Sequence, residues 1–92
     1  MGVPKPVSEV LFLQQAKSFL DETHEATCQE ERYFKTRVFF QHLARNLVHL
    51  QNKEKYERFR LTLCDKLLEW STGNEYEQQI ATDYGWIIEE LY

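Results

Sequence analysis

Glycine and proline are nearly missing from this 92-residue chain, which has three of the first and two of the second. Both prolines, Pro4 and Pro6, fall in the first six residues, and after Gly2 the next glycine is Gly73. Residues 7–72 therefore lack both of the residues that punctuate sheets and tight turns, which disfavours an all-β fold. Long apolar runs are missing too. The longest, Val10 to Leu13, has four residues, whereas a membrane-spanning helix needs roughly 20. These features predict a soluble chain without a secretory signal, expected in the cytoplasm. Met1-Gly2 would invite myristoylation only with Ser or Thr at position 6, where Pro6 stands.

The residue patterns that carry chemistry are scarce. Three glycines cannot build a phosphate-cradling loop. Cys28 and Cys64 lie 36 positions apart with no CxxC partner, so both are expected as reduced thiols. Cys64 falls between Leu61 and Leu68 at helical spacing and should lie on an apolar face as a small hydrophobe. Cys28 sits beside Glu25 and Glu30, whose negative charge disfavours a thiolate. His42 and His49 share a helix stripe with Lys35 and Asn46, but seven residues separate their side chains by about 10 Å. Helical metal ligands usually sit at i and i+3 or i+4. Both are therefore read as surface histidines, and a metal site would need a carboxylate such as Glu31 contributed across helices. The chain is expected to be no enzyme and to carry no metal or cofactor.

Apolar spacing, by contrast, is regular and predicts an all-α fold. The expectation is one domain over residues 1–92, with residues 1–7 a short extended arm. Helices at roughly 8–23, 30–50, 54–71 and 75–91 would form a small antiparallel four-helix bundle. Ser8 is a good N-cap for the first helix, which is apolar over a wide arc through Val10, Phe12, Leu13, Ala16, Phe19 and Leu20 and should be well buried. Thr27 is a candidate cap for the second. That helix carries Tyr33, Phe40 and Leu47 in one heptad position and Thr36, Leu43 and Leu50 in another. The seam Tyr56, Phe59, Leu63, Leu67 and Trp70 does not continue that phase, because carrying the heptad forward lands on Glu54 and Glu57. A turn near Asn52 accounts for the shift better than one continuous helix. Gly73 is expected to end the third helix in a left-handed conformation, with Asn74 and Glu77 close to a capping box. In the last helix Tyr76, Ile80, Tyr84, Ile87 and Leu91 share a face, and Gly85 implies a close neighbour or a bend.

Charge is distributed in blocks. Residues 32–66 hold nine basic and three acidic side chains, whereas residues 1–31 carry −4 and residues 67–92 carry −6. A basic hairpin between acidic ends is explained by internal complementarity, in which exposed pairs supply register more than stability. Lys35, Arg37, Arg45, Lys53, Lys55, Arg58 and Arg60 could alternatively present a cationic face to nucleic acid or an acidic protein. The sequence pI of about 5.3 opposes that. Phe39 falls off the apolar seams, as does Trp86, and Tyr92 follows the last helix. Aromatics on an outer face favour protein interfaces.

The expectation is accordingly a non-enzymatic protein–protein interaction or regulatory module that presents helix faces to a partner. Phe39, Arg37, Arg45, Arg58, Trp86 and Tyr92 are the candidate partner-binding residues. A nucleic-acid-associated accessory protein and a small helical metal-binding protein or enzyme are the alternatives. Self-association is a further expectation. The apolar arc of residues 75–92 is wider than one contact with a core buries, so a second copy could cover the rest as a homodimer. Its carboxylates would meet the basic hairpin near Arg37, Arg45 and Arg58, giving a dimer weakened by salt.

Overall fold

The computed structural model describes residues 7–91. Among them all regular structure is helical: α1 (Glu9–Glu25), α2 (Gln29–Arg45), α3 (Leu47–Leu50), α4 (Glu57–Trp70), α5 (Glu75–Tyr84) and α6 (Trp86–Leu91). The all-α class is as expected. The chain divides into two compact units, Met1–His49 and Leu50–Tyr92, and each is a helical hairpin. The expected arm at residues 1–7 lies outside the described residues except for Val7.

In the first unit α1 packs against α2. Glu22 meets Lys35, Phe12 meets His42 and Val7 meets Asn46, so one partner's number rises as the other's falls and the pair is antiparallel. Ser8 caps α1 as expected, its hydroxyl accepting from the Leu11 amide at 3.3 Å. The N-cap of α2 is Cys28 and not Thr27. The Cys28 Sγ accepts from the Glu31 amide, while the Thr27 hydroxyl and amide both donate to the Glu31 carboxylate. The wide burial expected for α1 is not seen: Phe12 is its one buried residue, and Val10, Leu13 and Leu20 are exposed. A single neighbouring helix covers only one stripe of α1.

The second helix was expected to reach residue 50 and instead stops at Arg45. Asn46 ends it. Its buried side chain donates from Nδ2 to the His42 carbonyl at 2.8 Å and accepts from the Val7 amide at Oδ1, 3.1 Å. Asn competes for backbone partners in this way wherever a helix has freed them. His49, at the end of the short α3, closes the clamp by donating from Nε2 to the Val7 carbonyl.

The second unit begins with the expected turn. The Asn52 side chain accepts from the Lys55 amide at 3.1 Å, and α4 starts at Glu57 instead of residue 54. The Arg60 guanidinium, buried inside this unit, donates from Nη1 to the Leu91 carbonyl at 2.9 Å and from Nη2 to the Lys53 carbonyl at 3.0 Å. It therefore ties the opening turn to the end of α6, where a cation also suits the helix dipole. Leu63 and Leu67 of α4 and Ile80, Tyr84, Ile87 and Leu91 of α5 and α6 are buried, as their spacing predicted.

Gly73 is not left-handed: among the described residues no glycine has positive φ. A Cβ at Gly73 would run into the Glu77 carboxylate, which reaches back to accept from the Asn74 amide at 2.9 Å in a complete capping box. A side chain there would displace that flexible carboxylate from its cap. At Gly85 the obstacle is backbone, since a Cβ would lie 2.7 Å from the Ala81 carbonyl oxygen. The expected single helix over residues 75–91 is divided there into α5 and α6.

Asn46→Ala should lower stability by about 1–3 kcal/mol, because it strips partners from the buried His42 carbonyl and the part-buried Val7 amide. Urea unfolding should show a lower midpoint with the slope unchanged.

Candidate interaction surface

The residues with the strongest chemical potential are turned inward. The His42 ring is buried, stacked on Phe12 with centroids 5.1 Å apart, set edge-on to Phe19 at 5.2 Å, and hydrogen-bonded through Nε2 to the Phe12 carbonyl at 3.0 Å. His49 is half-buried, stacks on the same Phe12 ring at 5.5 Å and directs Nε2 at Val7. The expected surface histidines are therefore internal donors that join α2 and α3 to the start of α1. Glu31 is engaged at the other end of α2 with Thr27. Among the described residues no group of three or more His, Cys, Asp or Glu is arranged to hold a metal ion.

The cationic face is also smaller than its composition suggests. Arg60 is buried, Lys35 pairs with Glu22 at 3.7 Å, and Arg37 donates to the Tyr33 hydroxyl at 3.0 Å with its guanidinium over the Tyr33 ring. Lys55 lies over the Tyr56 ring, 5.4 Å from its centroid. Arg45, Lys53 and Arg58 are exposed.

The other expected partner-binding residues are dispersed. Phe39 is buried, edge-on to Phe40 at 5.6 Å, and not exposed as its position off the seams implied. Arg37 is half-buried and Arg45 exposed on α2, whereas Arg58 is exposed in the first turn of α4. Trp86, at the start of α6, is 44% exposed, in line with its offset from the Ile87 and Leu91 face. It is the one exposed large apolar residue of α5 and α6 among those described, so little of the arc in residues 75–91 is left to cover. Tyr92 lies outside the described residues.

The exposed apolar surface lies elsewhere. On α4, Leu61 is 52% and Leu68 64% exposed, with the half-buried Cys64 between them. Their spacing at i, i+3 and i+7 makes a stripe along the side of α4 adjoining its buried row of Arg60, Leu63 and Leu67. Arg58 and Asp65, both exposed, border it. On α1, Leu13, Ala16 and Leu20 repeat the same spacing beside Lys17, with Val10 68% exposed. Phe34 on α2, 62% exposed, escaped the sequence reading. Its signal was present, since it shares a polar stripe with Gln41 and Arg45 at i+7 and i+11.

No family model, curated protein or solved structure matches this chain.

The two phenylalanines of α2 should separate cleanly. Phe39→Ala is expected to cost about 3–5 kcal/mol of stability, as buried Phe deletions do, and Phe34→Ala to stay within about 0.5 kcal/mol. Thermal denaturation of both variants measures the contrast.

Proposed function

We propose that this chain is a non-enzymatic protein interaction or regulatory module that binds a partner protein through outward helix faces. The observation that carries this reading is the exposed α4 stripe of Leu61, Cys64 and Leu68, which α1 repeats in Leu13, Ala16 and Leu20. Single exposed leucines need no explanation, but apolar side chains at heptad spacing make a continuous seam of the kind a partner helix covers. Arg58 and Asp65 at the edge of the α4 seam would set orientation and steer encounter. The two free thiols, one of them exposed, fit a reducing compartment such as the cytoplasm.

The test compares capture of partner proteins from the native source by the wild-type chain, by Leu61→Glu/Leu68→Glu and by Leu13→Glu/Leu20→Glu. A partner held by the wild type should be lost about ten-fold or more from at least one double variant, with the helical circular dichroism retained. Equal capture by all three chains would refute the reading. Recovery of nucleic acid that nuclease treatment removes, with binding falling steeply in salt, would replace it with the nucleic-acid alternative.

A further inference from the structure

We propose that the α4 stripe pairs with the α4 stripe of a second copy of this chain, antiparallel about a two-fold axis. The proposal rests on the interaction-module reading and names its partner. Its ground is the charge pattern beside Leu61, Cys64 and Leu68. Arg58 and Asp65 are seven residues apart, so they occupy the same edge of the stripe with opposite signs, and both are exposed.

A two-fold contact is isologous: each residue meets the complement of itself on the other copy. In an antiparallel pair the stripes interleave with Leu61 across from Cys64 of the second copy and Cys64 across from its Leu61. The outer layers set Leu68 on the aliphatic stem of Glu57 of the second copy. In this register Arg58 stands beside Asp65 of the second copy, and Asp65 beside its Arg58, offset by about two residues or 3 Å along the axis. Two opposite-charge pairs then line one edge of the apolar seam. In a parallel two-fold pair this edge would instead face the opposite edge of the second copy, so Arg58 and Asp65 would not meet each other. Charge therefore selects the antiparallel arrangement.

The other exposed stripe fails the same test. In the same register α1, pairing with itself through Leu13, Ala16 and Leu20, would set Lys17 beside the apolar Val10 of the second copy with no opposite charge to meet, so self-complementarity belongs to α4. The seam spans about two helical turns, well short of the roughly 1,600 Å² buried in a typical stable complex. Association is therefore expected near about 100 µM and should weaken with salt.

Cys64 lies next to the two-fold axis and provides the probe. Axes about 8–10 Å apart bring the two Cys64 side chains within reach of a short bismaleimide. The experiment uses the full chain carrying Cys28→Ser, so that Cys64 is the single reactive thiol. At about 100 µM the parent should give a covalent dimer. Arg58→Asp alone and Asp65→Arg alone, each in that background, should lose about ten-fold in cross-linked product, since each sets like charges together. Mixing the two variants should restore it, because in the mixed pair positions 58 and 65 again meet with opposite charge at both of their contacts along the edge of the seam. Restoration cannot arise from unfolding of either variant.

Equal cross-linking by parent and single variants would indicate random collision and overturn the proposal, as would a mixture no better than its components. A parent that gives no covalent dimer also overturns it. That result leaves the broader reading to be judged separately by partner capture with Leu61→Glu/Leu68→Glu.

Discussion

Wherever a helix stops, its last carbonyls and the next helix's first amides lose their partners and must find others. In a chain with almost no glycine or proline, that constraint falls on polar side chains, and the structure depends on how they meet it. Asn46 ends α2 by taking the His42 carbonyl and the Val7 amide at once. Asn52 closes the turn before α4, Asn74 and Glu77 cap α5 reciprocally, and Arg60 holds the carbonyls of Lys53 and Leu91. Some of these bonds are local and others, those of Asn46 to Val7 and Arg60 to Leu91, reach across the chain, and moving any helix end redirects the helix that follows.

The same constraint explains why residues that suggest chemistry are occupied with architecture. His42 and His49 lie on one stripe because they are seven residues apart, and that stripe faces Phe12. Both rings combine an apolar face, which stacks, with an Nε2 donor, which satisfies a backbone carbonyl. Arg60 does the equivalent in the second unit, with a planar fork reaching two carbonyls that a lysine could not span. Much of the cationic block in the middle of the chain is thereby turned to internal contacts. Much of the apolar surface left exposed lies on α1 and α4, where leucines recur at helical spacing.

The helical class, the start of α1 at Ser8, the turn at Asn52 and the capping box at Asn74 were legible in the sequence, because each rests on a period or on bonds spanning three or four residues. Ile80, Tyr84, Ile87 and Leu91 were legible as a buried row for the same reason. The extent of α2 was not. Heptad continuity through Leu47 and Leu50 favours one helix, and the bond that stops it comes from Val7, 39 residues away. Gly73 is not left-handed as its place after α4 implies, and an oxygen approaches it closely instead; at Gly85 the close neighbour its position implies is the Ala81 carbonyl.

Sequence alone determined which residues can share a helix face, since the 3.6-residue repeat is local geometry. Only the tertiary structure decided which of two apolar faces on a helix is covered. Phe39 is buried and Phe34 exposed although they lie on the same helix, and Leu63 and Leu67 are buried while Leu61 and Leu68 are not. An apolar side chain gains equally from any neighbour that removes it from water, because the hydrophobic effect has no direction. The choice between faces is made by where the neighbouring helix lies, and that position is set by long-range bonds such as those of Asn46 and Arg60.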